Sequence, residues 1–409
     1  MLLPLKTPLL DEYEQGFSVQ EMFQISSVGI VTGRDHVVFH KDKESLLKLL
    51  KDFSTLEPSE LRRIYKIKKD SRDWRLEYAI KDIKANANNL EEYIVSCQYR
   101  PFDFYYTYYT GKSKSFIAYP RGEVFKHMLP PPTTPKTPNQ TRKNVVLNTP
   151  RQLKNNDKSW TQCFISSSIN DQGLSSGGNG AGVNYPLYQF RDPNYTENFT
   201  PEFRSFIDKH YNHSFEPLEV LGYIYALLYS PHYRKRYEEF LKADYPKILF
   251  TKNKDLFRVL SLLGIELIGL HVLNQESLNY SFEKLKDATI GESCYKEVHE
   301  RNPIISKKLS YDEPEQRLYI NHSAYFRGVS QEIYNYRIGG YGVLDKYLKS
   351  HKNEHCNFDR VSNIIKVIAR TIKIQKTLGF LTSDLPHLKG NGSEVLMQEI
   401  LQNPPPPPI

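Results

Sequence analysis

The residue pattern changes character near residue 200, and this change constrains the fold more than any other feature of the sequence. Before it, short runs such as Tyr93–Ser96 and Phe102–Tyr109 are rich in aromatic and β-branched residues, which is typical of β-strands. After it, apolar residues recur at helical spacing in Glu202–Tyr211, Pro217–Tyr229 and Leu256–Leu273. The sequence therefore predicts an α+β protein, in which a strand-rich part is followed by a mostly helical C-terminal part.

Four other segments give local predictions. The spacing of leucines predicts a helix over Lys43–Phe53, and Val28–Phe39 has the pattern of a strand, a glycine turn and a second strand. Pro231–Lys242 is interpreted as one helix. Arg360–Leu378 is predicted to be an amphipathic helix with four cations on one face; they could clamp DNA, but we prefer the interpretation that they face solvent. These cations are Lys366, Arg370, Lys373 and Lys376.

The positive charge of the chain is concentrated in one region. From Lys112 to Lys158 there are ten Lys or Arg residues against two acids, and the formal net charge of the whole chain is +8. The segment that leads into this region, Tyr99–Arg121, is rich in tyrosine and phenylalanine. Cations can neutralise phosphates and aromatic rings can pack against bases and sugars, so this combination is typical of a nucleic-acid surface.

The remaining composition argues against several classes of protein. The four cysteines are far apart and form no CxxC pair, which argues against a disulfide framework or a zinc site. The apolar segment before Asp11 is too short to be a signal peptide. The longest apolar run, Val259–Leu273, is interrupted by polar residues and cannot cross a bilayer. The sequence therefore predicts a soluble, cytoplasmic protein.

Apparent catalytic motifs do not hold up under inspection. Gly111-Lys112-Ser113 resembles the end of a P-loop, but Tyr106 occupies the position that the first glycine of that motif requires. The glycine-rich segment 177–182 does not fit GxGxxG in any register. Asp73 with Asp82-Ile83-Lys84 could mimic the metal site of a nuclease, and His351, His355 and Cys356 could suggest a metal site; chance spacing explains each better. The sequence thus gives little evidence for catalysis.

A family resemblance rests on several segments that occur in one order. Each segment is weakly specific alone, and together they cover roughly residues 10–380. The chain resembles the C-terminal target-recognition region of type ISP restriction–modification enzymes and their single-chain type IIG relatives, which contain an N6-adenine DNA methyltransferase. The matching segments include Ser26–Asp35, Tyr99–Asp103, Thr149–Gln152, Ser166–Ser176, Tyr223–Tyr237 and Tyr336–Lys349.

This resemblance implies sequence-specific binding of double-stranded DNA in a bacterial defence system, together with a methyltransferase or nuclease polypeptide. It implies no cofactor in this chain, because S-adenosylmethionine and Mg²⁺ would belong to the nuclease, ATPase and methyltransferase portions, whose motifs are not found in the 409 residues. We expect no catalysis by this chain alone, and a split gene is one hypothesis for its origin. Two alternatives stay open: an autonomous DNA-acting enzyme with a divergent site, and a single-stranded nucleic-acid binder that uses the tyrosine-rich strands for stacking.

The candidate site consists of basic residues, and it contains no catalytic or metal-binding residue. Lysines are expected to meet phosphates, and an arginine can form two parallel hydrogen bonds to guanine. For Arg34, an ion pair with Asp35 is as well supported as a DNA contact. The residues expected to contact DNA are Arg34, Lys112, Lys114, Arg121, Arg142, Lys143, Arg151, Arg337, Lys346 and Lys349.

The same reasoning predicts four parts along the chain. Residues 1–92 would follow the methyltransferase core as a strand–turn–strand with helices. Residues 93–275 would form the target-recognition domain, which includes a long basic segment at 112–158. Residues 276–385 would form an α+β extension, and residues 386–409 a disordered proline-rich tail.

Overall fold

The computed structural model describes residues 8–129, 144–153, 159–176, 180–191, 194–295, 302–384 and 394–409. Arg142 and Lys143, two of the predicted DNA-contact residues, lie outside these residues. In chain order the helices are α1 (Pro8–Tyr13), α2 (Val19–Met22), α3 (Asp35–Val38), α4 (Lys43–Thr55), α5 (Pro58–Ile64), α6 (Leu76–Lys84), a 3₁₀ helix (Ala87–Tyr93), α7 (Gly122–Phe125), α8 (Pro201–Tyr211), α9 (Pro217–Tyr229), α10 (Pro231–Arg236), α11 (Glu238–Ala243), α12 (Lys254–His271), α13 (Gln275–Glu283), α14 (Gln331–Tyr334), α15 (Val343–Ser350), α16 (Phe358–Leu381) and α17 (Glu394–Gln402).

The strands are short and are distributed over several small sheets. The four-stranded sheets have the orders β2-β8-β5-β6 and β12-β15-β14-β13, and a three-stranded sheet has the order β4-β3-β7. The strands are β1 (Phe17–Ser18), β2 (Ser27–Val28), β3 (Ile94–Arg100), β4 (Asp103–Tyr108), β5 (Val146–Pro150), β6 (Phe164–Ser166), β7 (Ile169–Asn170), β8 (Gly182–Pro186), β9 (Tyr188–Arg191), β10 (Asn194–Glu197), β11 (Lys247–Ile248), β12 (Ser293–Tyr295), β13 (Ser310–Asp312), β14 (Arg317–Tyr319), β15 (Ala324–Phe326), β16 (Arg337–Ile338) and β17 (Tyr341–Gly342).

These elements confirm the predicted α+β class, with a strand-rich part followed by a mostly helical part. The chain divides into two compact units. The small unit consists mainly of Phe23–Pro150 and Ile165–Asn198. The large unit consists of Met1–Met22, Arg151–Phe164 and Phe199–Pro408.

The core of the small unit forms where α4 and α6 pack beside the β3–β4 hairpin. Asp42 caps α4 by accepting a hydrogen bond from the Ser45 amide at 2.7 Å. The helix then buries Leu46, Leu49, Leu50 and Phe53, whose spacing places them on one face. The predicted helix over Lys43–Phe53 is confirmed, and its buried face joins an aromatic cluster that includes Phe116 and Tyr108.

The large unit is organised by a close crossing of α9 and α12. Gly222 and Gly264 lie at the crossing, and a Cβ atom added to Gly264 would be 1.8 Å from the Gly222 carbonyl oxygen. No side chain fits there, since even a methyl group would overlap backbone atoms of the other helix. Glycine at these two positions therefore sets how closely the helices approach.

Two buried polar networks connect α12 with α16. Glu266, which is 2% exposed, accepts hydrogen bonds from the Arg370 guanidinium at 2.7 and 3.1 Å. His271 is 1% exposed and lies between the Tyr225 hydroxyl, at 2.7 Å, and the Thr371 hydroxyl, at 3.1 Å. Each buried group is thus hydrogen-bonded, as burial in a low-dielectric core requires.

The structure differs from the sequence prediction at Val28–Phe39. The second predicted strand is instead a helical turn, α3, that buries the consecutive residues Val37 and Val38. Thr32 donates a hydrogen bond to the Asp35 carboxylate at the start of this turn. Such a local side-chain bond favours a turn over an extended strand, which explains why the second predicted strand does not form here.

The predicted helix over Pro231–Lys242 is broken into α10 and α11 at Tyr237. This residue has φ −107° and ψ 19° and its side chain is fully buried. Its hydroxyl donates to the carboxylate of Glu12, which also accepts a hydrogen bond from Arg236 Nε at 2.7 Å. Anchoring two neighbouring side chains to one half-buried carboxylate interrupts the helix.

The C-terminal segment also differs from the predicted disordered tail. Residues 394–402 form α17, which contacts α12. Two residues that follow α17 accept hydrogen bonds from α13 and from the residue before it. The Tyr280 hydroxyl donates a hydrogen bond to the Asn403 carbonyl at 2.6 Å, and the side-chain amide of Asn274 donates one to the Pro408 carbonyl at 3.3 Å. The proline run suggested disorder, but carbonyl groups of proline remain good acceptors.

In the part of the chain that the structure describes, no single helix has both the length and the apolar composition needed to cross a membrane. The pair α12 and α13 meets that test only when the two helices are counted together across a bend of 116°.

Candidate nucleic-acid interface

The segment from Tyr109 to Gly122, which we call the basic loop, carries Lys112, Lys114 and Arg121 and folds back on itself. The Tyr109 hydroxyl donates to the Pro120 carbonyl at 3.0 Å. A Cβ atom on Gly122 would lie 2.5 Å from the Gly111 carbonyl oxygen, so the two ends of the basic loop approach each other as closely as backbones can. The basic loop is therefore closed by its own residues.

The middle of the basic loop is buried in the core of the small unit. Ser115, Phe116 and Ile117 are at most 5% exposed. The Phe116 amide donates to Asp82 Oδ2 at 3.2 Å, and its carbonyl accepts from Trp74 Nε1 at 2.9 Å. Since the buried residues are fixed, the exposed Lys112 and Lys114 are presented from a rigid support.

Asp82 serves this support and not a metal site. Its two carboxylate oxygens each lie 3.1 Å from the Thr110 hydroxyl, in addition to the bond from Phe116. Burial raises the pKa of Asp82, and the hydrogen bonds and the charge of Lys112 act in the opposite direction. The carboxylate is thus occupied by the basic loop, and Asp73, the other acid of the suspected motif, pairs with Arg72 at 2.8 Å.

Lys114 and Arg121 line a cleft of about 510 Å³ together with Arg72 and Arg75. We call it the basic cleft. The Arg121 guanidinium lies 5.0 Å from the centre of the Tyr119 ring. Four cations and two acids line this cleft, which suits it to bind phosphate oxygens. Its full lining is Arg72, Asp73, Arg75, Tyr78, Gly111, Ser113, Lys114, Ala118, Tyr119, Pro120, Arg121, Gly122 and Glu123.

A second tyrosine contributes to the cation arrangement in the basic cleft. Lys114 Nζ lies 5.9 Å and the Arg75 guanidinium 5.5 Å from the ring centre of Tyr78. Such contacts orient a cation without neutralising it, because the ring offers a quadrupole and not a charge. The Tyr78 ring therefore leaves the charges of Lys114 and Arg75 available to an anion, whereas Arg72 already pairs with Asp73.

Two of the cleft residues have an unusual backbone. Lys114 has φ +52° and Arg121 has φ +55°, both in the left-handed region that disfavours residues with a Cβ atom. That conformation costs about 1–2 kcal/mol per residue. Backbone strain of this kind concentrates at functional positions, because the surrounding structure must hold it in place.

Arg34 has a local structural role. Its guanidinium donates to the Lys69 carbonyl and lies 5.8 Å from the Trp74 ring centre. Asp35, the alternative ionic partner in the sequence prediction, instead accepts hydrogen bonds from Thr32 and from Tyr99 at 3.3 Å.

The other predicted contact residues belong to the large unit and are each engaged locally. Arg151 pairs with Asp244 at 2.9 Å, and Lys349 pairs with Asp345 at 2.9 Å. Arg337 donates to the Gly340 carbonyl at 2.6 Å, and Lys346 Nζ lies 5.6 Å from the Tyr341 ring centre. Exposed ion pairs contribute little to stability, about 0–1 kcal/mol, so DNA phosphates could replace the acid in the pairs of Arg151 and Lys349. The prediction for these four stays a prediction.

The cationic face predicted on α16 has partners within the protein. Arg370 binds buried Glu266, Lys376 pairs with Glu332 at 2.9 Å, and Lys366 lies 5.5 Å from the Phe282 ring centre. The structure thus uses part of this face for packing.

Arg72 and Arg75 are not among the contact residues predicted from sequence. Their segment is nevertheless basic, since residues 62–75 contain seven Lys or Arg residues against two acids. This excess of positive charge was overlooked because the excess over 112–158 is larger. In addition, the sequence alone does not indicate that the turn before α6 lies beside the basic loop.

Among the described residues, no group of three or more His, Cys, Asp or Glu side chains could hold a metal ion. His351 Nδ1 lies 2.9 Å from Glu354, and His355 Nδ1 lies 2.9 Å from the Asn302 carbonyl.

Comparison with known proteins gives one family match, the Type ISP C-terminal specificity domain, over residues 21–378. No curated protein matches the chain significantly. A solved structure titled as a DrdV–DNA complex is 18% identical, with a TM-score of 0.61 over 88% of this chain and 36% of that chain.

Two Type ISP restriction–modification enzymes are similarly alike. LlaGI, as a nuclease-deletion mutant in complex with a DNA substrate mimic, is 20% identical with a TM-score of 0.58, covering 92% of this chain and 34% of that one. ATP-dependent LlaBIII bound to DNA is 17% identical with a TM-score of 0.60, covering 91% of this chain and 25% of that one. The chain thus spans between a quarter and about a third of the length of these structures.

Proposed function

Because the chain belongs to the Type ISP C-terminal specificity domain family, we propose that it binds double-stranded DNA sequence-specifically as the target-recognition part of a restriction–modification system. The observation that carries this proposal is the basic cleft. There the fold brings Lys114 and Arg121 together with Arg72 and Arg75, from a segment distant in sequence, and holds them on a buried support.

In this proposal the basic cleft supplies affinity by neutralising phosphates. Replacing condensed counterions with protein cations makes binding strongly dependent on salt. Cations that are fixed before binding lose little conformational entropy on contact, which favours a rigid cleft over a mobile loop. Sequence preference then has to come from other side chains, which reach base edges.

The proposal extends to the partners of the chain. A methyltransferase or nuclease polypeptide would modify or cut the DNA that this chain recognises, and S-adenosylmethionine and Mg²⁺ would bind to those portions. The site of action would be the cytoplasm. Two of the solved structures that this chain resembles are DNA-bound Type ISP restriction–modification enzymes, and the chain matches only 34% and 25% of their length, which supports a role as part of a larger machine.

The test is duplex binding by the purified chain over a series of salt concentrations. We compare the wild type with Lys114→Gln/Arg121→Gln and with Lys48→Gln/Lys51→Gln, a matched pair of exposed lysines on α4 of the same unit. Each lost phosphate contact reduces the slope of log affinity against log salt by about 0.9. We therefore expect a slope smaller by about 2 in the cleft variant.

The control variant should keep the wild-type slope. Equal slopes for all three proteins would contradict a role of the basic cleft in phosphate binding. Competition with single strands addresses the alternative of a single-strand binder. The structure gives that alternative a limited platform, since Tyr108 and Tyr109 are buried and Tyr105 and Tyr106 are half-buried.

A further inference from the structure

A second cleft of about 410 Å³ lies next to the basic cleft in the small unit. It is lined by Val31–His36, Arg100, Asp171 and Gln172, and we call it the polar cleft. The two clefts share a wall, because Val31 and Tyr119 exchange backbone hydrogen bonds at 3.1 and 3.0 Å. Val31 lines the polar cleft and Tyr119 lines the basic cleft.

The floor of the polar cleft is held by a largely buried ion pair. Arg100 donates to Asp171 Oδ1 at 2.6 Å, and the Gly173 amide donates to the same oxygen at 2.9 Å. The Arg100 guanidinium also stacks 3.8 Å from the centre of the Tyr99 ring. Burial raises the pKa of Asp171, and the charge of Arg100 opposes this effect. These contacts hold Arg100 and Asp171 together at the floor of the cleft.

Gln172 follows this pair and is fixed by its backbone alone. Its amide donates to the Ile30 carbonyl at 3.1 Å, and its carbonyl accepts from the Gly182 amide at 2.9 Å. Its side chain is half-buried and lines the polar cleft, and it has no hydrogen-bond partner among the described residues. A carboxamide held in this way faces the cleft with one donor and one acceptor unused.

Other polar side chains of the polar cleft are already engaged. Arg34 donates to the Lys69 carbonyl, and Asp35 accepts from Thr32 and Tyr99. His36 makes no side-chain hydrogen bond to the described residues, but it is exposed at the rim, whereas Gln172 is half-buried. Gln172 thus offers the polar cleft a hydrogen-bonding side chain on a fixed backbone.

We propose that the polar cleft reads base edges in the major groove, and that Gln172 recognises adenine. The inference rests on the proposed function, in which phosphates occupy the neighbouring basic cleft. Phosphate contacts fix the register of a protein on the duplex, and groups beside them then reach the bases. A carboxamide donates to adenine N7 and accepts from adenine N6, a pattern that no other base offers in the major groove.

Selection from a randomised duplex pool tests this inference. We compare the wild type, Gln172→Leu, Gln172→Glu and the control Gln402→Leu, which alters an exposed glutamine at the end of α17. The wild type should enrich a motif containing an A·T pair at one position. Gln172→Leu should lower discrimination at that position alone by about tenfold or more, with the salt dependence of binding unchanged.

Gln172→Glu gives a sharper readout, because a carboxylate accepts from cytosine N4. The preferred pair at the affected position should change from A·T to C·G. The control should select the wild-type motif.

Failures of the two proposals are distinguishable. If Gln172→Leu selects the wild-type motif with full discrimination, Gln172 does not read a base and the inference is wrong, while duplex binding stands. Salt-dependent duplex binding by the wild type without any enriched motif overturns the inference together with the sequence-specific part of the proposed function, while duplex binding stands. Absence of duplex binding by the wild type, at every salt concentration, overturns the proposed function and the inference with it.

Discussion

The stability of the large unit should fall sharply between neutral and mildly acidic pH because of one histidine. His271 is almost fully buried, with Nδ1 2.7 Å from the Tyr225 hydroxyl and Nε2 3.1 Å from the Thr371 hydroxyl. Burial, aided by the positive charge of Arg234, lowers the pKa of His271 from 6.5 to about 3. The core therefore holds the neutral imidazole.

The sign and the size of the effect follow from this difference in pKa. The unfolded chain takes up a proton near pH 6.5 and the folded chain does so only near pH 3, so the unfolded state binds more protons between these values. The stabilisation is complete above pH 6.5 and is lost as the pH falls toward 3. The loss in unfolding free energy is about 2 kcal/mol from pH 7 to pH 5, and about 5 kcal/mol in full.

Urea denaturation at a series of pH values measures this loss directly. We compare the wild type with His271→Gln, in which an amide can still donate and accept but does not titrate, and with His213→Gln, which removes an exposed imidazole. His271→Gln should lower stability at pH 7 and remove about 2 kcal/mol of the decrease between pH 7 and pH 5. If the stability curves of the wild type and His271→Gln run parallel across this range, the reasoning is refuted.

Three further predictions concern packing and support. Gly264→Ala should destabilise by about 3 kcal/mol or more in urea denaturation, because the added methyl overlaps helix backbone, whereas Gly379→Ala, which meets only ordinary contacts, should be neutral or stabilise by about 0.5–1 kcal/mol. Arg370→Met should cost about 3–5 kcal/mol by leaving Glu266 buried and unpaired, and restoration by the second change Glu266→Met would distinguish charge burial from lost packing. Asp82→Ala should release the basic loop and weaken duplex binding severalfold at every salt concentration, without the reduced salt slope expected when a cation is removed; an unchanged affinity would show that the loop needs no such support.

Much of the fold could be predicted from sequence because its longer elements are strongly periodic. The helix over Lys43–Phe53 follows from apolar spacing and the strand over Phe102–Tyr109 follows from its aromatic and β-branched residues, and both elements occur in the structure. The prediction failed at Asp35–Val38 and at Tyr237, where side chains bond to groups that are near in space. Such bonds override periodicity, and sequence spacing does not reveal the partners.

The candidate site was predictable in its charge and not in its construction. The basic excess drew attention to Lys114 and Arg121, but Arg72 reaches the same cleft only because the Trp74 indole beside it bonds to the basic loop. Gln172 gave no signal at all, since an isolated glutamine in a glycine-rich stretch resembles any loop residue. Its significance comes from backbone bonds that fix it and from a side chain left without a partner among the described residues.

The way the basic loop is built separates affinity from specificity in the proposed function. The Trp74 indole and the Asp82 carboxylate hold the basic loop from inside the core, and the cations they position would meet only phosphates. The floor of the polar cleft is held by other bonds, those between Arg100 and Asp171, although its wall meets the basic loop where Val31 and Tyr119 exchange backbone hydrogen bonds. Changes to the support of the basic loop should therefore weaken binding to all duplexes alike, whereas changes at Gln172 should alter which duplex is preferred. With this division, a change in one side chain of the recognition surface can alter the preferred DNA sequence while the affinity for duplex DNA is retained.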